Sequence, residues 1–242
     1  MTRLLEKEAG HVIAVERDRR LAANLREDFA GSRSVEVVEG DVLKVALPQF
    51  SRVVGTPPYY ISSKLVLFLL GSNFKNAHLV FQREFGERLL ALPGTPDYGR
   101  LSVTAQRMLR IETLMDISRV AFEPKPKVDS VLLALEPGPY RHDVDRKVFD
   151  EIVRGVFTQR RRLVRGALLH FLKLKFGPGK ARDVFNTLRI PESRVYELSI
   201  TQLEEIAVQL TGTLAGFLGP DNSNNILRRK TPAGSDSRHA DN

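Results

Sequence analysis

The residues best suited to chemistry lie between positions 53 and 60, in the run Val53-Val54-Gly55-Thr56-Pro57-Pro58-Tyr59-Tyr60. Two consecutive prolines directly after an apolar strand hold the backbone extended and remove two amide donors. Carbonyls then face a crevice with no competing N–H groups beside them. Such acceptors suit methyl transfer to an aromatic amine, because the nitrogen lone pair of adenine or cytosine is delocalised into the ring. Hydrogen bonds accepted from its N–H groups restore nucleophilicity. Tyr59 offers a ring face on which a base can stack, worth about 1–3 kcal/mol per base. A Pro-rich turn carrying a core tyrosine is the plain structural alternative. Two carboxylates accompany this run. Glu16 follows an apolar stretch at residues 11–15 and can accept from both hydroxyls of a ribose. Asp41 follows another at residues 35–38 and can accept from an exocyclic amine. Each alone fits an ordinary cap or solvated turn equally well.

The elements that must position these groups follow from periodicity. Residues 4–9 read as the end of a helix closed by Gly10, and residues 11–15 as a buried strand. Asp18 is placed to cap a helix in which Leu21, Leu25 and Phe29 recur at helical spacing before Gly31. Strands are predicted at residues 35–38, 52–54 and 77–81, with an apolar helix over residues 61–70. Alternation of this kind indicates parallel βαβ units in a doubly wound sheet, where ligands bind beyond the carboxyl ends of the strands. Later extended runs at residues 111–117 and 130–136 flank a Pro-rich loop and are expected to pair antiparallel at the sheet edge.

Pro137-Gly138-Pro139 is the clearest punctuation, and beyond it the pattern is helical, with Val148, Ile152, Val156 and Phe149, Val153, Phe157 at three- and four-residue spacing. The reading therefore divides the chain into an α/β domain over residues 1–137, a helical domain over residues 138–218 and a disordered tail over residues 219–242, where only Ile226 and Leu227 are bulky and apolar.

The absence of cysteine from all 242 residues excludes disulfide frameworks, cysteine-ligated metal sites and thiol nucleophiles. None of the five histidines has metal-ligand spacing, so no metal is expected. The longest apolar stretches fall far short of the roughly 18 residues of a membrane span, and charges occupy the positions where a signal peptide carries its apolar core. A cytoplasmic protein with no membrane partner is the expectation. Formal charge is +8, and its distribution is uneven: residues 1–137 carry 19 basic and 17 acidic side chains, residues 138–242 carry 18 and 12. The basic second half suits a polyanion, nucleic acid first, through counterion release.

Thr56-Pro57-Pro58-Tyr59 resembles the (Asn/Asp/Ser)-Pro-Pro-Tyr motif of amino methyltransferases that use S-adenosylmethionine. Its neighbours narrow the likeness. Tyr59-Tyr60-Ile61-Ser62-Ser63, Phe81-Gln82-Arg83-Glu84, Asp97-Tyr98-Gly99-Arg100-Leu101-Ser102-Val103, Phe122-Glu123-Pro124-Lys125-Pro126-Lys127-Val128-Asp129-Ser130 and Phe157-Thr158-Gln159-Arg160-Arg161 are similar, in order and spacing, to the KsgA family. That family dimethylates two adjacent adenines near the 3′ end of small-subunit ribosomal RNA. The likeness runs from about residue 2 to residue 212, and the segment from Phe122 to Ser130 is its most specific element.

The resemblance implies a Rossmann-like class I methyltransferase sheet with a small all-helical C-terminal domain. It implies that Glu16 binds the cofactor ribose, Asp41 the amine of its adenine, and that Val42 packs on that base. Tyr59 and Phe122 would sandwich the target adenine, while Thr56 and the Pro57 carbonyl accept from its N6, with Thr56 also beside the cofactor. Lys125 and Lys127, on the Pro-rich loop, and Arg160, Arg161, Arg162 and Arg165, at a break in the helical pattern, would bind RNA within a pre-ribosomal particle, the protein acting as a monomer.

Two departures are visible. Thr56 stands where the family has an asparagine, and Pro57 where it has a leucine. The family's first strand and Gly-rich loop lie upstream of anything in this sequence, which implies a sheet missing its first strand between residues 11–15 and 52–54, and a truncated gene model. The alternatives to the enzymatic reading are an RNA-binding assembly factor of the same family without catalysis, a DNA-binding transcription factor of a related branch, and a methyltransferase acting on DNA or on protein glutamine.

Overall fold

The computed structural model describes residues 1–138 and 143–218. The tail expected over residues 219–242, with Arg228, Arg229 and Lys230, lies outside the described residues, as does Pro139 of the domain boundary. The chain begins with α1 (Thr2–Glu8), β1 (Val12–Glu16), α2 (Arg19–Asp28) and β2 (Val35–Glu39). Asp18 caps α2 as its position predicts, its Oδ1 accepting from the amides of Arg20 and Leu21 at 2.9 and 3.1 Å. Then come β3 (Arg52–Gly55), α3 (Ser62–Leu69), β4 (Asn76–Gln82), α4 (Arg83–Leu90), α5 (Arg100–Met108), β5 (Leu109–Ile117) and β6 (Ser130–Pro137). The helical part comprises α6 (Arg146–Val156), α7 (Val164–Phe176), α8 (Pro178–Asn186) and α9 (Ile200–Leu218).

The strands lie in two separate sheets. β1 and β2 pair in parallel, and the other four strands run in the order β3-β4-β6-β5. β1 and β3 are not hydrogen-bonded to each other, so the α/β layer is divided at the interruption expected from the sequence. β3 pairs with β4 in parallel, while β6 is antiparallel to both β4 and β5. The two late strands are therefore antiparallel as expected, but β6 sits inside the sheet and β5 alone takes the edge.

The sequence reading assigns no element to residues 83–108, and the structure places two helices there. In α4 the buried face is Phe85, Gly86 and Leu89. A Cβ at Gly86 would lie 2.5 Å from Cγ1 of Val131 on β6, so glycine allows the close seating of this helix on the sheet. The same glycine lowers the helical propensity of α4.

Two apolar cores result. One joins α3, α4, β4 and β6 through Leu69, Leu79, Phe81, Leu89, Leu133 and Leu135, all at most 1% exposed. The other is helical, and the stripe read from sequence, Val148, Phe149, Ile152, Val153 and Val156, forms the buried face of α6. This second core also takes in Ala91, Tyr98 and Val103 from the loop after α4 and from α5. The halves on either side of residue 138 are thus locked by shared side chains. The Arg107 guanidinium lies 4.1 Å over the Phe149 ring, pairs with Glu204 of α9 at 2.9 Å and donates to the Val144 carbonyl at 3.2 Å.

Tyr98 is fully buried and donates its hydroxyl to the Leu198 carbonyl at 2.9 Å. Burial pushes its phenol up from 10.0 to about 12. Because the folded-state value lies above the unfolded one, the contribution of Tyr98 is complete below pH 10 and is lost as pH rises towards 12, by roughly 2–3 kcal/mol. Urea unfolding followed between pH 9 and pH 12 should show this decline, and Tyr98→Phe should flatten it while lowering stability by about 1 kcal/mol at neutral pH.

Candidate functional site

The carboxyl ends of β3 and β4, the end of β5 and the start of β6 all lie along one edge of the larger sheet. The register makes this explicit: Ser130 pairs with Gln82, the last residue of β4, and with Ile117, the last residue of β5. Any loop leaving that edge starts close to the others.

The first such loop carries the Thr56-Pro57-Pro58-Tyr59 run. Thr56 is exposed and Pro57 half-buried immediately beyond β3, and Tyr59 to Ile61 form a single 3-10 turn. The turn's own hydrogen bonds use the carbonyls of Pro58 and Tyr59, which accept from the Ile61 amide at 3.0 Å and from the buried Ser62 hydroxyl at 2.8 Å. The carbonyls of Thr56 and Pro57 are uncommitted within the turn, as a pair of acceptors for an amine requires. Tyr59 is half-buried, and its hydroxyl is 2.7 Å from Oγ of Ser130, a residue with no exposed surface.

The second loop, between β5 and β6, carries Phe122, Lys125 and Lys127. It is clasped at its base: the Asp129 carboxylate accepts from the Arg119 amide at 2.9 Å, and the Arg119 guanidinium donates to the Lys127 carbonyl at 3.2 Å. Phe122 is half-buried at the end of a short 3-10 turn, and both lysines are exposed. Ser130, the residue that holds Tyr59, directly follows Asp129. The structure therefore brings the Tyr59 and Phe122 loops to one point.

The two strand-end carboxylates sit on the smaller sheet. Glu16 is the last residue of β1 rather than the residue after it, paired with Glu39 of β2. Its Oε1 accepts from the Asp18 amide at 2.8 Å. Asp41 follows Gly40, whose φ is +152° and whose absent side chain leaves room for Val45: a Cβ there would meet Cγ1 of Val45 at 2.4 Å. The Asp41 Oδ1 accepts from the Leu43 amide at 3.0 Å. Each carboxylate is thus oriented through one oxygen by a backbone amide. That acceptor set matches the hydroxyls and amine of an adenosine moiety. Val42 is half-buried against the core beneath β3 and β4.

The arginines near residue 160 divide. Arg160 is held internally: it donates to the Pro96 carbonyl at 2.7 Å, lies 5.7 Å over the Tyr196 ring, and has a buried Nε. The structure gives it to the junction between the Tyr98 loop and the helical part, because its stem is drawn under that loop. The expectation groups Arg160 with its neighbours on RNA, and its guanidinium here is engaged within the protein. Arg161, Arg162 and Arg165 are exposed. Residues 160–164 run against residues 193–196 in a short two-stranded ribbon, closed by Val195 to Arg162 at 3.0 Å and Val164 to Ser193 at 2.9 Å. This brings exposed Arg194 beside them, with its guanidinium on the Arg161 carbonyl at 2.6 Å.

The sequence reading assigns no role to Ser130, Arg194, Arg17 or Tyr60. Arg17 follows Glu16 and donates to the Tyr60 hydroxyl at 3.0 Å. The signals were present: Ser130 is a polar residue opening an apolar strand, and Tyr60 doubles Tyr59. Among the described residues, no cluster of three or more His, Asp or Glu could hold a metal ion, and no helix is long and apolar enough to cross a membrane.

Residues 1–207 match the family model described as ribosomal RNA adenine dimethylase. A protein of Thermococcus onnurineus named probable ribosomal RNA small subunit methyltransferase A is 39% identical over 214 residues, covering 87% of this chain and 78% of that one. Its namesake in Thermococcus kodakarensis is 40% identical over 210 residues, covering 85% and 74%. Among solved structures, a dimethyladenosine transferase from Plasmodium falciparum superposes with a TM-score of 0.78 at 26% identity, covering 88% of this chain and 87% of that one. The 23S rRNA methyltransferase ErmE superposes with a TM-score of 0.61 at 27% identity, covering 86% and 85%. The α/β architecture with its helical addition is that of these Rossmann-like methyltransferases, and the chain belongs to the ribosomal RNA adenine dimethylase family.

Proposed function

We propose that the protein dimethylates N6 of two adjacent adenines near the 3′ end of small-subunit ribosomal RNA, with S-adenosylmethionine as methyl donor. The observation that carries this reading is the meeting of the Pro57-Pro58-Tyr59 turn and the Phe122 loop at Ser130, in a chain matched to the family over residues 1–207. The cofactor supplies an electrophilic methyl carbon on a positively charged sulfur. Glu16 and Asp41 hold its adenosine, with Val42 against the base. Tyr59 and Phe122 take the extruded target adenine between their rings. The Pro57 carbonyl and the Thr56 hydroxyl or carbonyl accept from the target N–H groups, which localises the lone pair on N6 and aligns it. The proton leaves to water, so positioning and electrostatics account for the rate without a general base.

In this reading residues 1–137 are the methyltransferase domain and residues 138–218 a helical RNA-binding domain, with Lys125, Lys127, Arg161, Arg162 and Arg165 on phosphates. The protein acts as a monomer on a pre-ribosomal particle in the cytoplasm. Thr56 in place of asparagine supports one other reading, an assembly factor that binds the particle without modifying it.

Unmodified small subunits incubated with the protein and labelled S-adenosylmethionine should gain methyl groups, and primer extension should stop at two adjacent adenines. Binding without incorporation would establish the assembly factor instead. Tyr59→Ala should cost between about 5- and 150-fold in kcat/KM, the equivalent of one base–aromatic stacking interaction. Ser130→Ala should cost about fivefold, with S-adenosylmethionine affinity unchanged, since it frees the phenol without touching the adenosine site. Neutralising Arg161, Arg162 and Arg165 together should weaken RNA binding and flatten its salt dependence by roughly 0.7–0.9 for each phosphate no longer neutralised. Arg160→Gln should leave that slope alone and lower the melting temperature.

A further inference from the structure

The two neighbouring tyrosines of the 3-10 turn are tied in different directions. Tyr59 is bonded to Ser130 of the larger sheet at 2.7 Å, and Tyr60 to Arg17 at the end of β1 in the smaller sheet at 3.0 Å. β1 and β3 belong to different sheets here, so no ladder hydrogen bond between them accounts for the second tie. Core packing does not explain the second tie either. Tyr60 is 70% exposed and Arg17 is exposed, so the ring gains little from burial where it lies. Its hydroxyl instead reaches a guanidinium 43 residues away, one position beyond the proposed ribose-binding carboxylate. The Glu16 carboxylate is itself held by the Asp18 amide, so Arg17 projects from a backbone fixed on both sides.

We infer that Arg17 and Tyr60 are positioning residues, whose hydrogen bond sets the amine-accepting turn at a fixed place relative to the end of β1. This rests on the functional reading above, because it matters for catalysis only if Glu16 holds the cofactor and the turn holds the target. A charged donor on a phenol oxygen is stronger than a neutral pair. Solvent exposure reduces its worth to that of an ordinary hydrogen bond, which corresponds to about fivefold in a rate or an opening equilibrium. Tyr60→Phe removes the acceptor and keeps the ring. Arg17→Met removes the donor and keeps the stem, whereas Arg17→Lys retains a donor.

The test uses the whole protein, with amide hydrogen exchange of residues 55–63 measured without ligands and, separately, kcat and KM for S-adenosylmethionine and for unmodified small subunits. Tyr60→Phe and Arg17→Met should each raise exchange in the turn about fivefold and lower kcat about fivefold, with cofactor KM within about twofold and melting temperature unchanged. The double variant should be no worse than either single one, and Arg17→Lys should recover part of the deficit. Unchanged exchange in both single variants would overturn the inference, and so would effects that multiply in the double variant. An Arg17 effect confined to the KM for subunits, with Tyr60→Phe silent, would overturn it in favour of a phosphate contact. If exchange responds as expected while the wild-type protein transfers no methyl group, the tie stands and the functional reading falls.

Discussion

The hydroxyl contact between Tyr59 and Ser130 is where topology becomes site. β6 enters antiparallel between β4 and β5, so its first residue lies beside the last residues of both neighbours. A hydroxyl at that residue is therefore within reach of the loop after β3 and covalently close to the loop before β6. Were β6 parallel to β4, its start would lie at the opposite edge, and the Tyr59 and Phe122 loops would have no common anchor. Ser130 has no exposed surface, so its hydrogen bond forms away from competing water, where leaving it unmade costs about 1–3 kcal/mol. That penalty favours a single orientation of the phenol and hence of the ring face.

The pinned turn also explains what its prolines contribute. Pro57 and Pro58 remove two amides, so the backbone has fewer ways to satisfy its carbonyls internally. The bonds that do close the turn begin at Pro58 and Tyr59, one residue too late to engage Thr56 or Pro57. Acceptors left open in this way are ordinarily solvated. In the proposed reaction the target amine takes the place of that water, and the acceptors need no rearrangement to receive it.

Much of this is legible in the sequence, and the reasons are specific. β1 and β2 read clearly because a strand flanked by Gly10, Asp18 and Gly31 has marked ends, and α6 because its five buried residues keep a three- and four-residue spacing. α4 is hard to read because Gly86 is required by contact with Val131, a tertiary demand that lowers local helical propensity. The placing of Glu16 and Asp41 at strand ends is readable from apolar runs, whereas the role of Ser130 depends on a register between strands some 50 residues apart in sequence. Arg160 illustrates the opposite case. In sequence it is one of a basic run, and only the Tyr98 loop beside it separates a structural arginine from exposed neighbours.

That separation bears on how the two halves work together. Tyr98, Arg107 and Arg160 all belong to the junction between the sheet and the helices, and each uses its polar atoms on a partner across it: Leu198, Glu204 and Pro96. Buried ionic contacts contribute little net stability over apolar packing, but they penalise any arrangement that leaves a charge without its partner. A junction built this way resists sliding. The exposed arginines on the ribbon of residues 160–164 and 193–196 are consequently carried at a fixed position relative to the sheet edge. Phosphate contacts supply affinity and register without reading bases. In the proposed function, then, the arginine ribbon sets where the RNA lies, and the Tyr59 turn acts on whichever adenine that register presents.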